Sequence, residues 1–278
     1  MRRLIVTADD LGLHRGMTDG AIQAHEQGIV TAASVSACGR EVDHAIEALG
    51  GLDSLDVGIH FTLVEERPVL PAGELKSLTT REGRFHPSYG ALAARWMTGR
   101  IDLDEVEAEL RAQASLLTGA GLRLVHANGH QHLHVLPGIV GRVVAVSRSF
   151  GIEYLRSPRD VWRGAPRFGA RVASMKVLRA LGSRARRIAR AAGLVSNDRT
   201  IGIANAGHQN GPAIAGLLPL VDGLTELVTH PGTSGPEIAR AYDWGYEWDA
   251  ETAALCDRTL LEAIADRGIE LAKPSDVA

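Results

Sequence analysis

The feature that most restricts the fold is an alternation of two kinds of segment over residues 4–61. Short apolar runs at 4–8, 32–37 and 55–61 alternate with segments of helical periodicity at 17–27 and 41–49. Parallel strands need a crossover between them, and an α-helix is its usual form. The order strand–helix–strand–helix–strand therefore predicts a parallel sheet covered by helices, which is an α/β fold.

The alternation resumes after residues 64–90, where irregularly spaced prolines and glycines predict a long loop. Helical segments follow at 103–117, 138–150 and 172–192, and strand-like segments at 123–128, 152–156, 201–204, 224–229 and 269–271. Seven or eight strands without a long linker predict one domain over residues 1–278, an irregular or incomplete (β/α) TIM-like barrel. A doubly wound open sheet is the alternative.

Composition narrows the classes of function. The 278 residues are 45% hydrophobic, and 30 basic against 33 acidic residues leave a net charge of −3, which favours no nucleic-acid partner. The two cysteines, Cys38 and Cys256, form no CxxC pair, which excludes a disulfide scaffold and a cysteine zinc ribbon. No targeting or transmembrane segment is recognisable, so we expect a cytoplasmic protein.

Four predicted strand ends carry groups that bind metals or protons. Asp9 and Asp10 end the first strand, His60 the third, and His230 a later one, while residues 126–134 hold four histidines. A single strand-end histidine is more often a hydrogen-bonded, partly buried residue. The carboxyl ends of parallel strands share one edge, however, so together these groups predict a functional site.

The segment 126–134 is the densest of these signals. His126, Asn128, His130, His132 and His134 alternate along it. Neutral imidazole is the commonest protein ligand of zinc and related ions. One ion cannot take all of these residues, and ligating histidines need partners that fix their tautomer. We therefore expect some of them to orient ligands or to face a substrate.

The pair Asp9–Asp10 completes a hydrolytic set. One carboxylate can bind a metal while the other accepts a proton, although Asp10 could instead cap a helix or turn the chain. An aspartate and two histidines around an open coordination position suit metal-assisted amide hydrolysis, with a further histidine as acid. No GxSxG, P-loop or strand-linked GxGxxG motif is present, and Cys38 is expected to be a buried thiol rather than a nucleophile.

With these motifs the chain resembles the YdjC-like carbohydrate deacetylase family, a group that includes chitooligosaccharide deacetylases and hopanoid-biosynthesis-associated deacetylases. The resemblance covers nearly the whole chain. It rests on Thr7-Ala8-Asp9-Asp10-Leu11-Gly12, on residues 28–34, on Gly58-Ile59-His60-Phe61-Thr62-Leu63, on the histidine-rich segment ending at Pro137, and on His230-Pro231.

The resemblance implies a role for each strand-end group. Asp10, His60 and His130 would bind one divalent ion, zinc or magnesium, with Asp9 as general base and His230 as general acid. The implied fold is an irregular (β/α) barrel, and the implied reaction removes the acetyl group of an N-acetylated sugar, in an oligosaccharide or a glycolipid. Two imidazoles beside one carboxylate favour zinc or another transition ion over magnesium.

Residues around this set carry further expectations. His126, Asn128, His132 and His134 would bind substrate or orient ligands, and Asn128 stands where many family members have aspartate. The basic segment 163–190 is expected to be a solvated helix, with contact to an anionic membrane surface as the alternative, and a homodimer is left open. The aromatic residues of 242–248 either stack on sugar or pack the barrel end.

Two other functions remain compatible with these residues. One is a metal-dependent hydrolase or isomerase of another small substrate on the same barrel. The other is an inactive protein that binds sugar without turnover. The presence of Asp9, Asp10 and His230 together counts against the second, because a binding protein needs no base and acid.

Overall fold

The computed structural model describes residues 1–161 and 170–278, and these residues contain the parallel sheet that the alternation predicts. Every ladder between its eight strands is parallel. The strands are β1 (Arg2–Leu11), β2 (Ala32–Val35), β3 (Asp56–Phe61), β4 (His126–Gly129), β5 (Tyr154–Leu155), β6 (Arg199–Ile201), β7 (Leu224–Thr229) and β8 (Ile269–Leu271). The α/β class is confirmed.

Strand β1 is the centre of the sheet. The strand order is β5-β4-β3-β2-β1-β7-β6, and β8 pairs with the first residues of β1. From Leu4 to Leu11 every residue of β1 is buried, as a strand covered on both faces requires. Its last residues before the turn, Asp9 and Asp10, therefore enter the interior at the carboxyl edge.

The two edges of the sheet approach each other, so that the sheet is curled. Tyr154 of β5 forms a parallel bridge with Val195, and Asp160 forms one with Thr200 of β6. These contacts are single bridges rather than a continuous ladder between β5 and β6. A curled parallel sheet is established, and its description as a TIM-like barrel stays a prediction.

Ten α-helices accompany the strands within the described residues. They are α1 (Arg15–Glu26), α2 (Val42–Leu49), α3 (Tyr89–Met97), α4 (Leu103–Gly119), α5 (Ile139–Ser149), α6 (Ala170–Ala191), α7 (Gly211–Leu217), α8 (Gly235–Ala241), α9 (Trp248–Leu255) and α10 (Arg258–Asp266). None of these helices combines the length and the apolar character that crossing a lipid bilayer requires.

Helix α4 illustrates how the sequence sets these elements. The side chain of Asp102 caps its first turn by accepting a hydrogen bond from the Asp104 amide at 2.8 Å. Val106, Leu110 and Leu117 recur at helical spacing and are buried against the sheet. The same buried face carries Glu109, a charged residue that needs partners there.

Some expectations from the sequence are corrected. The strand expected at 201–204 is Arg199–Ile201, because Gly202 has a φ of +99° and turns the chain into a 3-10 helix at Ile203–Asn205. The sequence patterns do not predict helices α3 and α7 to α10, which have seven to nine residues each. Part of the basic segment 163–190 lies outside the described residues, and the rest belongs to α6.

A test of the packing inside the sheet is Gly58→Ala in β3. A Cβ atom at Gly58 would lie 2.4 Å from the imidazole of His126 and 2.4 Å from its carbonyl oxygen. We expect a loss of about 1–3 kcal/mol in the free energy of unfolding, measured by denaturant titration. The control is Gly141→Ala in α5. A Cβ atom there would meet no neighbouring atom within 4 Å, so the change should be neutral or stabilising. Equal stability of both variants would contradict this packing.

Candidate active site

Three side chains from different strands meet at the carboxyl edge of the sheet. The Oδ1 atom of Asp10 lies 3.1 Å from Nε2 of His60 and 2.9 Å from Nδ1 of His130. The two ring nitrogens are 3.3 Å apart, and all three residues are buried. A carboxylate oxygen and two imidazole nitrogens at these separations form a ligand set that could hold a metal ion.

The backbone at Asp10 turns the chain towards this point. Asp10 has a φ of +69°, a left-handed conformation that aspartate adopts more readily than most residues, and its carbonyl accepts from the Leu13 amide at 3.2 Å. It does not cap α1: His14 does, with Nδ1 accepting from the Gly16 amide at 3.0 Å. Of the structural alternatives for Asp10, the turn is observed and the cap is not.

Asn128 fixes the orientation of His60. Its Oδ1 atom lies 2.7 Å from Nδ1 of His60, and an amide oxygen only accepts, so Nδ1 carries the hydrogen and Nε2 faces Asp10 with its lone pair. The Nδ2 group of Asn128 donates to Asp9 at 3.0 Å. An aspartate in place of Asn128 could not make this second bond without holding a proton.

Glu65 orients His130 from the opposite side. Its Oε2 atom lies 3.2 Å from Nε2 of His130, while Gln131 donates to its other oxygen. Burial alone would lower the pKa of His130, but the charges of Asp10 and Glu65 raise it to about 10. The carboxylates thus attract positive charge to this point. With Nε2–H donating to Glu65, Nδ1 is the nitrogen left for a cation.

The loop that carries Glu65 is itself anchored. The next residue, Glu66, accepts from the hydroxyl of Tyr242 at 3.0 Å. Further along, Glu109 of α4 accepts from the amides of Val69 and Leu70 at 2.9 and 3.0 Å. These contacts hold the loop against α4 and the site.

The expectation of a buried thiol at Cys38 agrees with its surroundings. Cys38 is buried, with Sγ 3.6 Å from Oε1 of Glu109. Burial and the adjacent carboxylate raise the pKa of the thiol well above its usual value. A thiol that resists ionisation is a poor nucleophile.

Asp9 lies beside the three-residue set and accepts an unusual number of hydrogen bonds. Its Oδ1 atom receives them from Ser34 Oγ at 2.9 Å, Asn128 Nδ2 at 3.0 Å and Arg156 Nη2 at 2.9 Å. Its Oδ2 atom pairs with Nη1 of Arg156. Burial alone would raise the pKa of Asp9, but the charge of Arg156 holds it well below its usual range. Asp9 is therefore ionised.

Arg156 joins Asp9 to a second buried carboxylate. Its Nε donates to Oε1 of Glu226 at 2.8 Å. Glu226 also accepts from Thr7 Oγ1 at 2.8 Å and from the hydroxyl of Tyr154 at 2.9 Å. Burial disfavours the charge of Arg156, but the two carboxylates more than offset this and raise its pKa. The result is a satisfied ionic network across the inside of the curled sheet.

His230 follows β7 and approaches from the far side. Its Nε2 atom lies 4.0 Å from Oδ2 of Asp10. Burial lowers the pKa of His230, so its ring is neutral near pH 7, and Nδ1 has no hydrogen-bond partner within the described part of the chain. The backbone amide of His230 donates to Oε1 of Glu251 at 2.7 Å. Glu251 thus sets the position of the strand end.

The other histidines of the 126–134 segment lie at different places. His132 lines the cavity described below, whereas His134 contacts the carbonyl of Arg156 through Nε2 at 3.1 Å. His126 points into the sheet, with Nε2 3.1 Å from the carbonyl of Ala33. Burial lowers the pKa of all three, that of His134 to about 3. His126 therefore lies inside the sheet and is not in the group formed by Asp10, His60 and His130.

A cavity of about 730 Å³ opens over the site. Its floor is polar and consists of Asp9, Asp10, His60, His130 and His230. One wall is apolar and is formed by the segment after β4 and by α6, with Leu133, Leu136, Met175, Leu178 and Leu181. A ligand here meets charged groups at one end and hydrocarbon at the other.

The aromatic residues of 242–248 lie in two different surroundings. Tyr242 and Trp248 are buried in a cluster with Leu13, Met17 and Ile238. Trp244 and Tyr246 line the cavity, with ring centroids 5.6 Å from His130 and 5.3 Å from His230.

Three residues of the site are absent from the sequence-based set. Arg156 ends the predicted strand 152–156, so the rule that selected His60 also pointed to it. Glu226 interrupts the apolar run 224–229, and a charge inside a buried strand signals a partner. Glu65 carries no such local signal, because its position depends on the anchored loop.

The site can now be compared with known proteins. A sequence model of the family described as YdjC-like protein matches residues 3–266. A carbohydrate deacetylase of Homo sapiens is 32% identical over 309 residues, covering 99% of this chain and 91% of the relative. A chitooligosaccharide deacetylase of Escherichia fergusonii is 34% identical over 152 residues, covering 54% of this chain and 58% of the relative.

Solved structures show a similar fold. The crystal structure of an Enterococcus faecalis V583 protein, to which cleavage of cellobiose phosphate is provisionally ascribed, has a TM-score of 0.78 at 23% identity. The match covers 99% of this chain and 98% of that one. At this level of identity the likeness concerns the fold alone.

The buried Glu251 predicts a pH dependence of stability. Burial raises its pKa from 4.5 to about 8, so the folded state holds this proton more tightly than the unfolded state and loses stability as the pH rises from 4.5 to 8. Glu251→Gln keeps an acceptor for the His230 amide but avoids the charge. Its melting temperature should match that of the wild type at pH 4.5 and exceed it by several degrees at pH 9.

The control is Glu237→Gln, which changes an exposed carboxylate of α8. Its melting temperature should follow that of the wild type at both pH values. A Glu251→Gln variant that gains nothing at pH 9 would mean that Glu251 is not held neutral by burial.

Proposed function

Since the chain belongs to the family of YdjC-like proteins, we propose that it is a metal-dependent carbohydrate deacetylase that hydrolyses the N-acetyl group of an amino sugar. Relatives named carbohydrate deacetylase, one of them matched over 99% of this chain, support the reaction class. Such a reaction needs an activated water, a base for its proton and an acid for the leaving amine.

The observation that carries the proposal is the convergence of Oδ1 of Asp10, Nε2 of His60 and Nδ1 of His130. Both histidines use their other nitrogen for a fixed acceptor, Asn128 or Glu65, as metal-ligating histidines commonly do. The residues therefore fit a divalent cation. One oxygen and two nitrogens favour zinc or another transition ion over magnesium, which prefers oxygen ligands.

A divalent ion held here supplies Lewis-acid activation of water and of the amide carbonyl. Asp9 would accept the proton of the attacking water, at Oδ2, which has a single donor in Arg156, whereas Oδ1 has three. His230, neutral at rest, would take up a proton from solvent in the cavity and deliver it from the far side to the amine nitrogen as the C–N bond breaks, and the proton that Asp9 accepted would return to solvent. Arg156 keeps Asp9 ionised and in place for its part.

Trp244, Tyr246 and His132 line the same cavity, and we propose that they contact the sugar, with aromatic faces available for stacking. Asn128 and His134 would act on the ligands and on Arg156 rather than on substrate. Hydrolysis or isomerisation of another small molecule by the same groups is the alternative reaction. The ionised Asp9 facing the cavity argues against a protein that only binds sugar.

The apolar wall favours a glycolipid over a free oligosaccharide. Leu178 and Leu181 of α6 line the cavity, and sugar hydroxyls would find no hydrogen-bond partners in leucine side chains. A hydrocarbon group attached to the amino sugar would bury apolar area there.

We also propose that residues 1–278 form one domain with an irregular (β/α) barrel. The sheet that takes strands from both ends of the sequence, and the bridges between its two edges, support this description.

The roles of the two aspartates can be separated by Asp9→Asn and Asp10→Asn. Asp9→Asn should retain metal but lose turnover by a factor of about 10²–10⁴, because it lacks the base. Asp10→Asn should lose metal and turnover together. Metal is measured by elemental analysis and turnover by acetate release from N-acetylglucosamine oligomers and glycolipids, and Asp19→Asn, on the surface of α1, is the control.

Two outcomes would contradict this assignment. If metal-loaded wild-type protein releases acetate from neither class of substrate, the proposed reaction is wrong. If Asp9→Asn folds, as judged by its melting temperature, yet loses its metal, the roles of base and ligand are misassigned.

The glycolipid preference is tested by Leu178→Gln on the apolar wall. Leu178 is half-buried, and full burial of a leucine by the lipid is worth about 1.5–3 kcal/mol, so its loss should raise KM for an N-acetylated glycolipid about tenfold and leave KM for the oligosaccharide unchanged. The exposed Leu261→Gln in α10 is the control. Equal effects of Leu178→Gln on both substrates would remove the support for a glycolipid.

A further inference from the structure

A second cavity, of about 390 Å³, lies away from the candidate active site, where β6 and β7 begin. Three arginines and two aspartates contribute to its lining: Arg159, Arg179, Arg199, Asp198 and Asp222. The candidate active site is at the opposite, carboxyl edge of the same strands. The two cavities share no lining residue.

Helix α6 supplies a stripe of positive charge beside this cavity. Arg179, Arg186 and Arg190 are seven and four residues apart, a spacing that places them on one face of the helix. Ser183 lies on the same face and accepts from Nε of Arg159 at 3.1 Å. Arg159 is thereby held against the stripe.

The two carboxylates of this region are already engaged. Oδ1 of Asp198 pairs with Arg186, and with Arg190 at 3.4 Å, while its Oδ2 accepts from the Leu224 amide at 3.0 Å. Asp222 pairs with Arg199. The two carboxylates that line the cavity are therefore taken by three of the five guanidinium groups. A third carboxyl, that of Asp160 beside Arg179, is buried, which raises its pKa to about 7.

Arg159 and Arg179 are the two that remain. Arg159 donates to Ser183 and to the carbonyl of Asp198 at 2.7 Å, and Arg179 donates to the carbonyl of Asp160 at 3.4 Å. Neither has an ion pair within the described residues. Burial lowers the pKa of Arg159, and the neighbouring positive charges of Arg186 and Arg179 lower it further, while Asp198 acts in the opposite direction.

We propose that this cavity binds a phosphate group between Arg159 and Arg179. Guanidinium groups match phosphate oxygens with paired hydrogen bonds, and a dianion would relieve the repulsion among the arginines. A volume of about 390 Å³ admits a phosphate group with a small substituent. The site does not depend on the deacetylase proposal, because it uses none of the same residues.

The phosphate group can belong to a soluble phosphate ester or to the headgroup of an anionic lipid. Both present the same oxygens to the arginines. The exposed side of α6 bears further basic residues, Lys176, Arg184 and Arg187, that would favour a lipid surface. The experiment must therefore separate the two sources.

Inorganic phosphate is the first probe. It is titrated into the protein in a calorimeter, and its affinity is compared with that of chloride at equal ionic strength. The double variant Arg159→Gln with Arg179→Gln should bind phosphate at least about tenfold more weakly than the wild type. The control, Arg240→Gln with Arg258→Gln, removes two exposed charges outside α6 and should retain wild-type affinity. If the double variant has a lowered melting temperature in chloride, the single variant Arg179→Gln replaces it in the phosphate titration, because Arg179 is exposed.

Vesicles of phosphatidylcholine with and without phosphatidate are the second probe. If the protein sediments with phosphatidate vesicles and free phosphate reverses this sedimentation, the bound phosphate group belongs to a lipid headgroup. Phosphate binding without sedimentation would identify a soluble ester. Phosphate affinity indistinguishable from that for chloride, or equal in the double variant and the wild type, would overturn the proposal.

Discussion

The buried charge of Arg156 is the interaction on which the rest of the site depends. Its guanidinium lies between the carboxylates of Asp9 and Glu226, and all three side chains are buried. Removing one member of such a group costs about 3–5 kcal/mol, because the others remain buried without their partner. The strands that carry these residues, β1 and β7, and the segment that follows β5 are thus tied together from inside.

The two imidazoles of the proposed metal site are held by unlike parts of the fold. His60 is oriented by Asn128, which lies on the neighbouring strand, so that both rest on the ladder of β3 and β4. His130 is oriented by Glu65, which comes from a loop. The orientation of His60 therefore depends on the sheet, and the orientation of His130 depends on how firmly the loop is held.

The sequence predicts the parallel sheet and most of the site because both follow from local patterns. Asp9, His60 and His230 could be chosen because apolar runs end at them, and strand ends share an edge. Glu65 could not, since its position follows from a left-handed backbone and an anchored loop, neither of which leaves a periodic pattern. The partnership of Arg156 and Glu226 spans 70 residues and exists only because the sheet curls.

The anchoring of the loop by Glu109 links an outer helix to the chemistry of the cavity. Glu109 holds the amides of Val69 and Leu70, and the loop they belong to presents Glu65 to His130. Thermodynamic linkage makes such a connection work in both directions. At the proposed metal site, whatever orders the loop would strengthen cation binding, and a bound cation would in turn order the loop. Substitutions on α4 that never touch the cavity would then change the affinity of that site.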